Sequence, residues 1–435
     1  MVKESLRYSM FDGIFASIMG GINDTFMTPY ALSMKATAGL IAILSSMPGL
    51  AGALLQVKSA TWSEKLGSRK KLINISILIH ALMLVPVILT PYIFRTNQVL
   101  LLIIFYTISM AFNGIALPAW SSMMSDLVLE NERGRYFGRR NMIAGIVYVA
   151  SMFIGGGILY LMSTNHAEGS RALFGFSIIF LIAFISRLIS WNYLNKMYEP
   201  PLIIKDEHRF NMLDFLKRVG RSNFGRFVFF AGAVNFSVFV AAPFFAVYML
   251  NDLKFDYLTF SIITMASQLT MFVSMKSWGL HADHTGNRKI MRVTSFFIPI
   301  IPVLWLFSHS VLYLIIIQIF SGFVWAGFNL SASNFMYDAV TPEKRTRCIA
   351  YCNVISGIAV FLGAVTGGYL LKILPPLFGY KILMLILISA ILRIFAASLF
   401  SYVREVRKVR EIKGRELFYS IIGIKPLLGL YDNKE

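Results

Sequence analysis

The chain has 435 residues, of which 57% are hydrophobic and only 14% charged, with a formal net charge of +19 and a mean hydropathy of +0.66. Soluble globular chains carry about a quarter charged residues. This composition therefore excludes a soluble globular protein and makes the chain a membrane protein.

A first apolar segment covers about 8–32; it is long and has no small-residue cleavage site, so no cleavable signal peptide is expected. The uncharged runs 36–57, 72–94, 96–125 and 141–167 follow, each past the ~18 residues needed to cross a bilayer. A sixth segment occupies 172–195. The polar stretch 196–226, in which KDEHR precedes NMLDFLKRV, reads as a linker with a short amphipathic surface helix. Runs 227–251 and 257–275 come next, and the run 293–337, too long for one span, is expected to turn at SHS around His309. Segments 348–371 and 377–403 complete twelve, ahead of a basic tail over 404–435. None shows the ~10-residue alternating pattern of barrel strands. The expectation is an all-α membrane protein of twelve transmembrane helices: a six-helix half over 1–195, the linker 196–226, a second six-helix half over 227–403, and the tail 404–435.

With the N-terminus inside, outward loops hold only Lys35, Arg95, Arg171, Lys254, Lys372 and Lys381 of the 41 Lys and Arg. That asymmetry places both termini on the cytoplasmic face. Attraction to anionic lipid accounts for the remaining charge; a nucleic-acid partner is not expected, because that needs one basic face on a soluble domain.

Two sets of residues recur in the same order. EKLGSRK at 64–70 is echoed by DHTGNRK at 283–289, and DLVLENERGRYFGRRNMIAGI from Asp126 by DAVTPEKRTRCIAYCNVISGI from Asp338. At one constant offset Asp126 matches Asp338, Arg133 matches Arg345, Asn141 matches Asn353 and Gly145 matches Gly357; Arg187 and Glu199 are likewise echoed by Arg393 and Glu405. A six-span unit has been duplicated.

Two six-span halves, each with an acid–Gly–Arg loop after its second span, resemble the major facilitator superfamily of secondary transporters, whose loop reads roughly G-x-L-A-D-R-x-G-R-R/K. The second copy, GLHADHTGNRK, keeps Gly279, Ala282, Asp283, Gly286, Arg288 and Lys289. The first, ATWSEKLGSRK, has Ala60 for the first Gly and Glu64 for the Asp; Ser68 and Asn287 replace a basic residue in both. The resemblance implies an inner gate of Glu64, Gly67, Arg69, Asp126 and Arg133 with Asp283, Gly286, Arg288, Asp338 and Arg345, Asp126 and Asp338 serving as partners of the loops' basic groups. Independently of it, Gly67 and Gly286 permit the φ > 0 turn that a short connection between antiparallel helices requires. Ionic contacts between the halves are then expected to hold the inner side closed in one conformer.

Within the spans charge is expensive and therefore informative. Asp24, in SIMGGINDTFMTPY, lies 12 residues, or ~18 Å along a helix, beyond Asp12. A low-dielectric setting disfavours a bare carboxylate, so Asp24 is the candidate for proton coupling or substrate contact, as first-span acids are in proton-coupled members of the superfamily. A fixed neutral acid bonded to a neighbouring helix, and an acid facing outer water, are the other readings. Asn23, Asn113, Asn235, Gln268 and Asn329, with Trp325 as a stacking surface, are candidate cavity residues; amides between membrane helices serve equally as glue. Arg187 and Arg393 are expected to snorkel to the inner headgroups. Gly155 to Gly157, matched by Gly367 and Gly368, are expected at close helix contacts. His281, Asp283 and His284 do not by spacing make a metal site, and Cys348 and Cys352 read as packing residues.

No span carries the metal-ligand or nucleophile pattern of a membrane-embedded enzyme. The fourth span, FYTISMAFNGIALPAW, has no Arg, and SMFIGGGIL in the fifth has no Pro, unlike the drug–proton antiporters of the superfamily. The expected function is secondary transport of a small polar solute across the cytoplasmic membrane by a monomer, needing no cofactor beyond a coupling proton. A drug exporter of the same superfamily, and a receptor or scaffold without transport, are the alternatives.

Overall fold

The computed structural model describes residues 1–129, 132–163, 170–201, 212, 215, 217 and 222–406. The first half comprises α1 (Val2–Ser33), α2 (Ala38–Gln56), α3 (Ser59–Leu66), α4 (Arg69–Leu82), α5 (Leu84–Ile93), α6 (Gln98–Leu127), α7 (Arg133–Ser163) and α8 (Ser170–Lys196). The second comprises α9 (Asn223–Phe239), α10 (Tyr257–Thr285), α11 (Asn287–Phe297), α12 (Ile300–Leu304), α13 (Val311–Asp338), α14 (Pro342–Ile373) and α15 (Lys381–Ser398). Among the described residues ten helical stretches are long and apolar enough to cross a membrane, with α4–α5 counted as one and α9 running on through the π turn Tyr248–Asp252. The acid-bearing α1 and the broken pair α11–α12 make the twelve. The chain is a multi-pass integral membrane protein. The expected turn near His309 falls between Leu304 and Val311.

Contacts group the chain into two compact units. The first is Met1–Asp206 with Ala242–Met265 and Val360–Ile373; the second is residues 207–241, 266–359 and 374 onward. Inside the first unit a Cβ on Gly156 of α7 would meet the Ser261 side chain of α10, and one on Gly368 of α14 would meet Ala42 of α2. The proposed linker helix lies outside the described residues except for Met212, Phe215 and Lys217; Phe215 is buried against Phe224 and Tyr351.

The two copies of the acid–Gly–Arg stretch are less loop-like than the sequence suggests. In the first, α3 carries Glu64 and ends at Gly67 with φ 61°. In the second, α10 has no breaker before Thr285 and continues through Asp283, leaving Gly286 with φ 84° as the turn. Both glycines thus occupy the left-handed region their type permits.

The ninth span breaks at Ile298–Pro299. Pro302 has no N–H for the carbonyl four residues earlier, and the Arg393 guanidinium donates to that Ile298 oxygen at 3.3 Å. Arg393 is buried and also donates to Ser389 Oγ at 3.2 Å. It does not snorkel, because its side chain points into the half-bundle, where a freed carbonyl needs a donor.

Small residues set the closest crossings. A Cβ on Gly114 of α6 would lie 2.5 Å from the Gly52 carbonyl oxygen of α2, and in the second unit one on Gly322 of α13 would lie 2.1 Å from the Ser267 oxygen of α10. Backbone cannot yield as a side chain can. Gly114→Val is expected to destabilise by about 3 kcal/mol through overpacking, whereas Gly39→Val, where a Cβ meets nothing within 4 Å, is expected to be neutral on this count. Thermal unfolding in detergent checks this: equal midpoints for the two variants refute it.

Candidate functional site

Asp24 is positioned by a glycine one turn earlier. A Cβ on Gly21 would lie 2.1 Å from Ser151 Oγ and 2.4 Å from the Tyr148 carbonyl oxygen, so α1 and α7 approach closely at this level. That approach sets Tyr148 beside Asp24, and the phenol donates to Asp24 Oδ2 at 3.1 Å. α1 runs unbroken through Gly20, Gly21 and Pro29. The glycines act by admitting α7, not by loosening the helix.

Asp24 is one of the residues lining a cavity of about 310 Å³ in the first unit, with Asn23, His80, Asn113, Trp120, Arg140 and Arg187 around it. At its far end Asp12 is buried and pairs with Arg140 Nη2 at 3.1 Å. Ser190 Oγ donates to the other Asp12 oxygen at 2.7 Å. Arg140 Nε also donates to the Ser9 carbonyl at 3.0 Å, and its guanidinium lies 4.5 Å from the Trp120 ring centre. Arg187 donates to Ser190 Oγ at 3.0 Å and to Asn113 Oδ1 at 3.2 Å. His80 sits where α4 gives way to α5; its Nδ1 lies 2.9 Å from Ser109, whose hydroxyl donates back to the His80 carbonyl at 2.8 Å.

The cavity unites three of the expected residues: Asn23, Asp24 and Asn113. Asn23 is buried with both amide atoms unpartnered among the described residues, whereas Asn113 is held by Arg187. Asn235, Gln268, Trp325 and Asn329 belong to the second unit, where Trp325 packs edge-on to Phe328 and Asn329 lies 4.0 Å from Met271 Sδ. Arg187 was expected to snorkel and does not: it is 7% exposed, because α8 turns that face toward Ser190 and Asn113. Asp12 and Arg140 have site roles that residue type alone did not mark, and Tyr148, an aromatic that could have served for stacking, acts through its hydroxyl.

At the end of the spans that carries the duplicated motifs, each unit builds its own polar clamp, with an ion pair in the first. Arg69 Nη1 meets Asp126 at 2.6 Å and Ser122 Oγ at 3.0 Å, while Nη2 donates to the Pro200 carbonyl. Glu199 accepts from the Arg69 and Lys70 backbone N–H groups at 2.6 and 3.1 Å and from Ser68 Oγ at 2.6 Å. In the second unit Asn287 donates to Asp338 at 2.8 Å, the Arg288 N–H donates to Glu405 at 2.9 Å, and Arg288 Nε reaches the Val403 carbonyl. Asp126 thus has its basic partner, and Asn287 supplies a neutral donor to Asp338. Arg133 donates to the Ser125 and Val128 carbonyls, closing the end of α6. Glu64 and Asp283 are exposed, and the Arg345 side chain lies outside the described residues. The glutamates were visible only as an echo. Their role follows from three cations, Arg69 to Lys71, crowding a helix start whose dipole already favours negative charge.

A duplicated twelve-helix bundle with a polar cavity inside one half defines a membrane transporter and not an enzyme. The chain belongs to the major facilitator superfamily, whose family model matches residues 9–239 and again 227–430. No curated protein matches it by sequence. Among solved structures it is similar to the nucleoside transporter NupG, at 15% identity and TM-score 0.68, covering 92% of this chain and 98% of the other. It is similar to a D-xylose-proton symporter at 13% identity and TM-score 0.70, covering 94% and 99%. A bacterial homologue of the human lysosomal transporter spinster aligns at 14% identity and TM-score 0.62, covering 92% and 96%.

Proposed function

We propose that the protein is a proton-coupled secondary transporter of a small polar organic solute. It works by alternating access in the cytoplasmic membrane, with both termini cytoplasmic and one chain as the working unit. The observation that carries the reading is the cavity of about 310 Å³ whose wall combines Asp24, Asn23, Asn113, Arg140 and Arg187 inside an apolar bundle. Polar groups so placed are costly in a membrane unless they serve a solute or ion path. Two structures sharing the fold are a nucleoside transporter and a sugar–proton symporter, which supports a polar solute in kind. The duplicated clamps, with Glu64, Gly67, Asp283, Gly286 and Arg345, form the gate at the basic end of the spans. Asp24 exchanges the coupling proton.

Solute flux tests the reading. Sealed proteoliposomes with an inward proton gradient are expected to accumulate sugars, nucleosides or organic acids that raise the thermal stability of the purified protein. Stabilising solutes that never cross the vesicle membrane make it a receptor and overturn transport.

A further inference from the structure

Arg187 and Arg393 occupy equivalent positions of the two repeats, yet their surroundings differ. Arg393 completes a broken helix: its guanidinium answers the Ile298 carbonyl that Pro302 leaves without a donor. Among the described residues Arg187 donates to two neutral acceptors, the Ser190 hydroxyl and the Asn113 amide oxygen, and its buried Nε has no hydrogen-bond partner there. The nearby carboxylate, Asp12, is already taken by Arg140 and Ser190. The cavity wall holds two guanidiniums, Arg187 buried and Arg140 partly so, and two carboxylates, of which Asp12 is held by Arg140 and Asp24 accepts from Tyr148. In the same wall Asn23 is 1% exposed, and among the described residues neither of its amide atoms has a partner.

A buried guanidinium whose hydrogen bonds go to neutral oxygens keeps unspent donor capacity for an anion, and a buried amide without partners is costly until a ligand satisfies it. The planar fork of Arg suits carboxylate and phosphate oxygens. We propose that Arg187 is the anion-recognition group of the cavity and that the solute carries a carboxylate or phosphate, with Asn23 binding a neighbouring polar group of the same molecule. This rests on the reading of the cavity as the solute site, and it narrows the solute from polar to anionic.

The test uses the full chain in lipid-free detergent, with thermal unfolding at fixed pH and ionic strength. Matched probes are compared: glucose against glucuronate and glucose 6-phosphate, lactamide against lactate, and inorganic phosphate alone to separate a bare anion from an anionic organic solute. A ligand that binds only the folded state raises the midpoint by mass action. An anionic member is expected to stabilise where its neutral twin does not. Arg187→Gln is expected to weaken that binding at least about tenfold, and Arg187→Lys, which keeps the charge without the fork, to weaken it less. Size-exclusion elution shows that each variant folds; if Arg187→Gln does not, a Lys variant binding as tightly as the parent overturns the proposal. It is also overturned if neutral twins stabilise equally, if Arg187→Gln keeps the full anion response, or if no anion of the panel stabilises. An anion that binds through Arg187 but never crosses a vesicle membrane upholds this site and defeats the transport reading. A neutral solute moved equally by parent and Arg187→Gln does the reverse.

Discussion

Asp24→Asn is expected to abolish proton-driven accumulation while leaving solute counterflow measurable. A gradient of one pH unit supplies about 1.4 kcal/mol and so supports about tenfold accumulation of a solute moved with one proton. In the variant this falls to equal concentrations on both sides. The reason lies in the wall of the cavity: Asp24 is accessible there and accepts a hydrogen bond from Tyr148 at 3.1 Å. Asp12, by contrast, is buried, paired with Arg140 and bonded by Ser190, so Arg140 offsets its charge. Asn keeps the size and one oxygen that can accept from Tyr148, and it removes the charge and the titration. Parallel uptake and counterflow in proteoliposomes decide the matter, and parent-like accumulation in Asp24→Asn excludes this residue as the coupling group.

Asp126→Ala is expected to lower stability by about 1 to 2 kcal/mol: the substitution strands the buried Arg69, but Asp126 itself is 46% exposed, so water screens part of the loss. Arg69 is 3% exposed, and Asp126 is the carboxylate that meets its guanidinium; Ser122 and Pro200 offer neutral oxygens only. The double variant Arg69→Met with Asp126→Ala is expected to recover much of the loss, since an apolar replacement of the pair leaves no stranded charge. Midpoints of thermal unfolding in detergent measure both. Simple additivity of the two substitutions shows that the pair does not act as a unit. If the clamp is also part of a gate, cysteines introduced at that end of the cavity will label at a changed rate in Asp126→Ala. Unchanged labelling removes the gate role and leaves a structural latch.

Much of this could be read along the chain. Apolar runs marked the spans because a bilayer demands uninterrupted helix. The duplicated EKLGSRK and DHTGNRK marked the repeat, and their glycines marked the two turns that adopt φ 61° and 84°. Asp24 stood out because a carboxylate in an apolar span is rare. Arg187 was the instructive miss: a basic residue near the end of a span can bend to the headgroups or turn inward, and one-dimensional spacing does not distinguish them. Glu199 was noticed as an echo, but nothing in its neighbourhood along the chain says that it caps a helix beginning at Arg69.

By itself, then, the sequence determined that the protein spans a membrane with twelve helices in two repeats, because hydropathy and repetition are properties of the chain. The tertiary structure decided which polar groups meet. Asp12, Asn23 and Asp24 of α1, Asn113 of α6, Arg140 of α7 and Arg187 of α8 converge on one cavity. The physical reason is that electrostatic partnership depends on distances of 3 to 4 Å, and helix crossings set those distances. The crossings are set in turn by small residues such as Gly21 and Gly114, whose contacts lie on other helices.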